Sequence, residues 1–332
     1  MTRSHAGPGS SHRLGFAVKV LAGGGLPSHD TRRWQAGPHL RNSLEALRRI
    51  LDHLDRHDLR MYRMATSLAP YASHPDLPQF HDQVAECAEE LADVGSAARA
   101  RDIRLSTHPG QYSVLNSERD EVRGAAVAEL EVQASLLDAM GLGHDAVVVL
   151  HVGSAAGGRD AALDRFCAGF DRLSERARAR LAVENDDRAF DITDVLELAR
   201  RTGLRVIFDV LHHRCHDREG IDAGDALAAA LDTWPAGVAP KVHFSSPRLD
   251  VQERRVRVGR RVERRMVLPQ LRAHADLIDP IWFEHFLRDI GQGRDFDIML
   301  EAKAKDVALM RLRAQLAERG VPTHAGRLVL AN

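Results

Sequence analysis

Histidine and carboxylate side chains recur at the ends of short apolar runs along the chain. Most of these runs end in, or are soon followed by, His, Asp or Glu. The residues are His74, His108, His151, Glu184, Asp209, His212, His243, His274 and Glu301. Imidazoles and carboxylates coordinate divalent metals, and a rim of them converging on one point would be repulsive or unpaired without cations. The pattern therefore predicts a metal site.

The number of these side chains predicts more than one ion. Six imidazoles and three carboxylates exceed the ligands that one tetrahedral or octahedral ion accepts. In multinuclear hydrolytic sites, shared carboxylates bridge ions that activate water, orient a phosphate and stabilise the leaving oxygen. Nitrogen and oxygen ligands without cysteine suit Mn or Zn. The sequence thus indicates a cluster of divalent ions with hydrolytic chemistry.

The elements that would position these residues are alternating strands and helices. Eight apolar runs have strand length, and most are separated by segments of helical spacing such as Leu40, Leu44 and Leu47. The runs are residues 14–21, 59–65, 103–107, 146–150, 181–184, 204–210, 241–245 and 296–301. Eight β/α units predict an α/β fold, a single-domain (β/α)8 TIM barrel whose strand ends build the active site.

We expect the barrel domain to span residues 14–320. Residues 1–13 are polar, without the apolar core of a secretory signal, and are predicted to be a disordered tail; residues 321–332 are predicted to be a C-terminal tail. No run approaches the roughly 18 apolar residues of a membrane span. The cysteines, Cys87, Cys167 and Cys215, are scattered and predict no disulfide framework. These features indicate a cytoplasmic protein.

An arginine-rich insertion, residues 246–273, follows the seventh run. It carries nine arginines and three acidic residues, a charge of +6 in a chain whose net charge is −1. Such a patch can steer a polyanion to one face of a protein. Residues 254–258 and 261–268 could form a hairpin around Gly259-Arg260, with an arginine-rich helix or loop as the alternative.

Several short motifs occur in a specific order. They are Tyr62-Arg63, Ser73-His74-Pro75, Leu105-Ser106-Thr107-His108-Pro109-Gly110-Gln111-Tyr112, His151-Val152-Gly153, Glu184-Asn185-Asp186, Asp209 with His212-His213, Pro240-Lys241-Val242-His243 and His274-Ala275. In this order and spacing the chain resembles the UvdE-type UV damage endonucleases over residues 14–303. The resemblance implies a β/α barrel and about two to three divalent ions, with Mn expected and Zn or Mg as alternatives. It also implies cleavage of double-stranded DNA immediately 5′ of a lesion, with pyrimidine dimers or abasic sites as substrates.

Carried over by motif, the family's metal ligands fall on the nine histidines and carboxylates named above. Lys241 matches a lysine beside the metals, which implies a carboxylated lysine ligand or a contact to the scissile phosphate; the alternative is a solvated lysine. We assign Lys241, Glu184 and Glu301 to catalysis. Gln111 and Tyr112 match a pair that wedges into the duplex where damaged bases are displaced.

Three further groups are expected to touch DNA or to modify lesion preference. Phe16 stands where the family has tyrosine, and we expect it at the lesion. Val20 stands where the family has asparagine, so a polar contact there is predicted to be missing. In the insertion, Arg254, Arg257 and Arg260 are predicted to contact backbone phosphates. The alternative for the insertion is a solvated excursion without a role in DNA binding.

Two other functions are compatible with a barrel of this kind. A metal-dependent sugar isomerase or epimerase also carries His, Asp and Glu at its strand ends. The surplus of ligands, the Gln-Tyr pair and the +6 insertion favour a polyanionic substrate over a sugar. A DNA-binding barrel without catalysis would leave the ligand rim without a purpose. We therefore predict a monomeric endonuclease that acts on damaged double-stranded DNA, with no membrane partner.

Overall fold

Eight parallel strands form a barrel in the computed structural model, which describes residues 10–330. The barrel strands are β1 (Ser11–Ala17), β2 (Met61–Arg63), β3 (Arg104–Ser106), β4 (Val148–His151), β5 (Leu181–Glu184), β6 (Arg205–Asp209), β7 (Lys241–Phe244) and β10 (Asp297–Leu300). They pair in the order β3-β2-β1-β10-β7-β6-β5-β4. A parallel bridge between Thr107 and Val148 joins β3 to β4 and completes the circle. The predicted barrel is confirmed.

Helices cover the outside of the barrel. They are α1 (Leu40–Arg56), α2 (Gln83–Glu86), α3 (Ala88–Ala100), α4 (Asp120–Ala139), α5 (Arg159–Phe170), α6 (Glu175–Arg180), α7 (Ile192–Thr202), α8 (Val210–Cys215), α9 (Ala223–Leu231), α10 (Pro280–His285) and α11 (Lys305–Glu318). A π-helical turn, Phe286–Ile290, continues α10, and 3-10 turns occupy Ala22–Gly24, Trp34–Ala36, Thr66–Leu68 and Pro78–Phe80. Within residues 10–330, no helix is both long enough and apolar enough to cross a membrane.

Helix α1 illustrates how the sequence pattern forms these elements. Leu40, Leu44, Leu47 and Leu54 recur at helical spacing and are completely buried against the barrel. Each buried leucine contributes roughly 1.5–3 kcal/mol relative to an exposed one. At the start of the helix, the His39 side chain accepts a hydrogen bond from the backbone N–H of Arg41.

Both ends of the described chain are ordered, which corrects the predicted tails. Residues 11–13 belong to β1 and pair antiparallel with β12 (Arg327–Val329), which in turn pairs with β11 (Thr323–His324). His12 is buried, and its Nδ1 lies 2.7 Å from the carbonyl oxygen of Phe296. The remainder of the predicted tails, residues 1–9 and 331–332, lies outside the described residues. Residues 11–13 and 323–329 thus form a sheet extension at the amino ends of the barrel strands.

The arginine-rich insertion forms a hairpin, so the helix and loop alternatives are wrong. Strands β8 (Gln252–Val258) and β9 (Arg261–Val267) pair antiparallel around Gly259-Arg260. At its base, Pro247 bridges His274, and the N–H of Ala275 donates to the carbonyl of Ser246 at 2.8 Å. The base of the hairpin therefore holds His274, one of the predicted ligands, at the mouth of the barrel.

The packing of α3 against the end of α4 leaves no room for a side chain at Gly95. A methyl group there would lie 1.7 Å from the carbonyl oxygen of Met140. Gly95→Ala should therefore lower the free energy of unfolding by about 1–3 kcal/mol. Gly124→Ala, in α4, is the matched control: its methyl would have no neighbour nearer than 3.9 Å. It should raise the free energy of unfolding by up to about 1 kcal/mol, because alanine favours a helix. Urea unfolding measures both values, and equal stabilities would contradict the close packing.

Candidate metal centre

The strand register brings the predicted ligands to one level at the mouth of the barrel. His151 at the end of β4 is paired with Glu184 at the end of β5. Asp209 at the end of β6 is paired with His243 in β7. Glu301 directly follows β10, and its N–H donates to the carbonyl of Phe244 in β7 at 2.9 Å. Parallel strands place these side chains at their shared carboxyl edge, as predicted.

Glu184 lies at the centre of this level. Its Oε1 is 3.0 Å from Nδ1 of His243 and 3.4 Å from Nδ1 of His212. Its Oε2 is 3.1 Å from Nε2 of His108 and 3.8 Å from Nε2 of His151. The carboxylate of Glu184 is completely buried. One buried charge is thus surrounded by four imidazoles that come from different parts of the chain.

The carboxylate of Glu301 is a second point, beside Glu184, at which histidines converge. Its carboxylate lies 3.5 Å from Nδ1 of His243 and 3.6 Å from Nδ1 of His274. Arg63, at the end of β2, forms an ion pair with the same carboxylate. His274 continues the ring of histidines, because its ring centre is 5.9 Å from that of His212.

Two overlapping groups of these residues could hold a metal ion. In the first group Glu184, Asp209, His243 and Glu301 offer ligand atoms that all lie within 4.8 Å of one another. In the second group His108, Glu184 and His243 do the same. Glu184 and His243 belong to both groups.

Buried polar atoms without partners show that these residues fit a metal. Oε1 of Glu184, Oδ2 of Asp209 and both ring nitrogens of His243 are buried without a hydrogen-bond partner among residues 10–330. The 3.0 Å approach of His243 to Glu184 lacks hydrogen-bond geometry. Each buried polar atom left unsatisfied costs about 1–3 kcal/mol. A divalent cation among these atoms would satisfy them together.

The protonation states also suit metal binding. Burial lowers the pKa of four imidazoles, which favours the neutral form that binds metals. They are His108, His151, His243 and His274. Burial raises the pKa of Asp209 well above its usual range. Burial opposes the charged form of His212 as well, but the charges of Asp209 and Glu184 raise its pKa to about 11. Without a cation, protonation is therefore favoured at Asp209 and His212, and a bound metal would compete with those protons.

Asn185 positions two of these ligands, a role that the sequence pattern did not predict. Its side-chain amide donates to the carbonyl of Asp209 at 3.1 Å and accepts from the N–H of Asp209 at 2.8 Å. Its own carbonyl lies 2.9 Å from Nδ1 of His212 and accepts that N–H. This bond leaves Nε2 of His212 free for a metal. The only sequence signal was the position of Asn185 within the Glu-Asn-Asp motif.

Lys241 lies one layer below the ligands, inside the barrel. It is completely buried, and its Nζ donates to Oγ of Ser106 at 2.9 Å. Burial, together with the charges of Arg104 and Arg63, lowers the pKa of Lys241 well below its usual range. The third predicted role, a solvated lysine, is therefore excluded.

His74 differs from the other eight predicted ligands. It lies in the exposed loop after β2, where its Nδ1 accepts from the N–H of Asp76 at 3.2 Å. Within residues 10–330, His74 belongs to neither of the two groups of converging ligand atoms. It lines an open cavity of about 400 Å³ together with Tyr112. Its role as a ligand stays a prediction.

Gln111 and Tyr112 stand on the exposed loop after β3. The Tyr112 side chain is 84% exposed, which is unusual for an aromatic residue. Tyr112 lines the cavity that contains His74, and Gln111 lines a second cavity of about 560 Å³ that reaches His151 and Asp186. The pair therefore forms a ridge between two open cavities beside the candidate metal centre.

Phe16 does not reach the surface, so its predicted contact with the lesion is wrong. It is completely buried, and its ring packs edge-on against Tyr62 with centres 5.4 Å apart. Val20 is also buried, and it forms a bridge with Leu26. The hydroxyl near this position belongs to Tyr62, which donates to the carbonyl of Val18 at 2.6 Å.

The hairpin arginines are exposed but do not share one face. Arg254 is opposite Arg265, whereas Arg257 is opposite Val262, and residues an odd number apart in a strand point to opposite faces. Arg260 lies in the turn at the tip. A single flat surface could contact Arg254 or Arg257, but not both.

Comparisons with known proteins show which family and which fold this chain resembles. The sequence model of the family described as "UV-endonuclease UvdE" matches residues 39–328. The UV DNA damage endonuclease of Bacillus velezensis is 32% identical over 281 residues, covering 84% of this chain and 82% of that protein. The crystal structure of SacUVDE superposes with a TM-score of 0.75 at 29% identity, covering 93% of this chain and 99% of that one. D-psicose 3-epimerase from Clostridium cellulolyticum H10 has a TM-score of 0.53 at 13% identity, covering 93% and 97%, and shows the fold alone.

Metal binding should stabilise the fold through Glu184. Because binding to the native state alone stabilises by mass action, metal at about 100 times its dissociation constant should add about 2.7 kcal/mol. Glu184→Gln should abolish most of this gain, since it removes the carboxylate shared by both ligand groups. Thermal unfolding with Mn²⁺ or with a chelator measures the difference. Glu197→Gln, on α7, removes a carboxylate that pairs with Arg200 and should leave the gain intact. Equal shifts in both variants would contradict the site.

Asn185→Ala should weaken metal binding while every ligand is retained. Loss of an outer hydrogen-bond partner typically costs about 10- to 100-fold in metal affinity. Calorimetric titration of the folded variant with Mn²⁺ measures this change. Asn42→Ala, which removes a hydrogen bond to Asp30 in the loop before α1, is the control. An unchanged affinity in Asn185→Ala would show that Asp209 and His212 are positioned without it.

Proposed function

The chain belongs to the UV-endonuclease family, and we propose that it hydrolyses the phosphodiester immediately 5′ of a lesion in double-stranded DNA, with bound divalent metal ions. The observation that carries the proposal is the buried ligand cluster around Glu184, open to a ridge that presents Gln111 and Tyr112. Pyrimidine dimers are the proposed lesions, with abasic sites as a further substrate. We also propose that the protein acts as a monomer in the cytoplasm.

We propose that about two to three ions, Mn²⁺ foremost, bind at the mouth of the barrel. Glu184, Asp209, His243 and Glu301 would hold the most buried ion, since their ligand atoms converge within 4.8 Å. The outer histidines would complete the cluster; they are His74, His108, His151, His212 and His274. When bound, such ions supply positive charge to the phosphate and lower the pKa of water.

The residues of the chain orient the substrate and compensate charge. Arg63 is paired with Glu301, so it limits the repulsion between this carboxylate and that of Glu184. Three of the four imidazoles around Glu184 have a lowered pKa, which favours the neutral form that binds metals; they are His108, His151 and His243. The negative carboxylates attract a metal ion and repel a phosphate. The phosphate would therefore bind at this site only together with the metal ions.

Burial favours one of the two remaining roles of Lys241. A completely buried side chain cannot touch a scissile phosphate at the surface, whereas its uncharged amine is the form that reacts with carbon dioxide. We therefore propose a carboxylated Lys241. The added carboxylate would extend from the layer below toward the ligands and would contribute to catalysis together with Glu184 and Glu301.

Lesion recognition would rest on the Gln111-Tyr112 ridge. An exposed aromatic ring and an amide can fill the gap left by displaced bases, and damaged or distorted pairs are the least costly to open. Selection would then depend on the deformability of the duplex more than on contacts to base edges. Because Phe16 is buried, it takes no part in this recognition.

The hairpin would contact the DNA backbone. Arg254 and Arg257 lie on opposite faces of the hairpin, and Arg260 lies at its tip. We therefore propose that Arg260 contacts the phosphates of a duplex together with either Arg254 or Arg257. Contacts of this kind give affinity and orientation without sequence preference.

The decisive measurement is a nicking assay on an end-labelled duplex, irradiated or not, with Mn²⁺ or with a chelator. We expect metal-dependent cuts immediately 5′ of lesions by the wild type. The double variant Gln111→Ala and Tyr112→Ala should cut lesions about 10- to 100-fold more slowly, since stacking on a base contributes about 1–3 kcal/mol. Its metal-induced stabilisation should equal that of the wild type. An intact irradiated duplex after incubation with folded, metal-loaded protein would refute the proposed function.

A further inference from the structure

Lysine is rare in this chain and is confined to the region of the candidate metal centre. Of the 46 lysine and arginine residues, 42 are arginines and four are lysines: Lys19, Lys241, Lys303 and Lys305. Lys241 lies beneath the ligands, whereas the other three follow β1 and β10. An ammonium group is a compact, strongly hydrated charge with three donors, and it differs from the planar guanidinium in the anions it suits. Lys19, Lys303 and Lys305 are therefore candidates for binding an anion.

The barrel topology brings the three lysines to one edge. Strand β10 pairs with β1, and β1 pairs with β2, where Ala17 is the partner of Arg63. Lys19 follows Ala17 by two residues, and Lys303 follows Glu301 by two. All three lysines thus lie just above the level of Glu301, on the β10–β1 side of the mouth.

A buried carboxylate ties the two lysine-bearing segments together. Asp306, the neighbour of Lys305, is completely buried and accepts the N–H of Leu21 at 2.8 Å and that of Ala22 at 3.2 Å. The N–H of Val18 donates to the carbonyl of Arg63 at 2.9 Å, which fixes the start of the same loop on β2. The backbone around Lys19 and Lys305 is therefore held in place by hydrogen bonds.

The backbone next to these lysines adopts an uncommon conformation. Val18 has a φ of +65° and Lys305 a φ of +52°, both in the left-handed region that non-glycine residues rarely enter. Such conformations persist only where the surrounding structure imposes them, and they cluster at ligand sites. The chain accepts this strain on both segments that carry the lysines.

The three ammonium groups have no anionic partner in the part of the chain that the structure describes. Lys19 and Lys303 are exposed, Lys305 is half-buried, and none forms an ion pair within residues 10–330. Two carboxylates of the same segment form ion pairs with other residues: Glu301 with Arg63, and Asp306 with His53. The cluster thus presents net positive charge beside the metal centre.

We propose that Lys19, Lys303 and Lys305 form a binding site for a backbone phosphate of the DNA strand that is cut. The inference rests on the proposed function, since it requires DNA at the metal centre. With the scissile phosphate at the predicted ligands, a neighbouring phosphate of the same strand would lie at the β10–β1 edge. The site would hold the strand in register and would carry no sequence information. It is separate from the ridge at Gln111-Tyr112, which follows β3, and from the hairpin after β7.

The first test measures how the affinity for a short fluorescent DNA duplex depends on salt concentration. Duplexes with and without a lesion are compared, and Ca²⁺ is used as the divalent ion so that cleavage is slow. Removal of one cation that binds a phosphate should reduce the slope of log K against log salt by about 0.9. We expect this change for Lys303→Gln and for Lys305→Gln, on both duplexes. Lys303→Arg should retain the slope, because the charge remains. Arg311→Gln is the control: it removes an exposed cation of α11 that makes no ion pair within the described residues.

The second test replaces single phosphates of the cut strand with neutral methylphosphonates. The wild type should lose affinity at one position next to the nick, and Lys303→Gln should lose nothing further there. Wild-type slopes in both glutamine variants, or an undiminished effect of the methylphosphonate, would overturn the inference. Nicking by the wild type is measured in parallel, so absent nicking counts against the proposed function and unchanged slopes count against the lysine site. Thermal unfolding verifies that each variant is folded, and the two single variants test the site independently.

Discussion

The burial of the Glu184 carboxylate is the constraint on which the rest of the structure depends. A charge without water is costly unless it is paired, and four imidazoles approach this carboxylate within 3.0–3.8 Å. These imidazoles come from β7, from the loop after β3, from the end of β4 and from α8. Only a barrel that closes, here through the bridge between Thr107 and Val148, brings those segments to a common point. The histidines can therefore assemble around Glu184 only when the barrel is closed.

The supporting contacts fix the ligands more firmly than the strands alone would. Asn185 clamps β5 to β6 and orients His212, and the base of the hairpin holds His274 against the carbonyl of Glu301 at 3.0 Å. The insertion, which was predicted from the sequence to contact backbone phosphates, thus also holds a predicted ligand at its base. Substitutions in the hairpin would therefore affect the candidate metal centre through His274.

The sequence predicted the strands and most of the candidate site because both depend on local pattern. Residues 181–184 were predicted and observed as a strand without any difference, since apolar runs mark buried parallel strands. The N-terminal part of β1 was missed because its order comes from pairing with β12, more than 300 residues away in the chain. Phe16 was misplaced because its role was carried over from a tyrosine of the family, whereas its ring here is buried against Tyr62. The role of Asn185 required the pairing of β5 with β6, which no local pattern contains.

The arginines at the amino ends of the barrel strands and the lysines at the carboxyl ends differ in their partners. The net charge of −1 does not reveal this difference. At the amino ends of the strands, Arg104 and Arg13 share the carboxylate of Asp297, and Arg104 and Arg205 lie over the ring of Trp234. These guanidinium groups are thus paired with a carboxylate or stacked on an aromatic ring at the bottom of the barrel. At the carboxyl ends, the lysines remain without carboxylate partners in the described chain, beside ligands that would bind cations. The proposed function requires the site to admit a polyanion, and ammonium groups without carboxylate partners at its edge would offset the repulsion between the phosphates and the acidic residues.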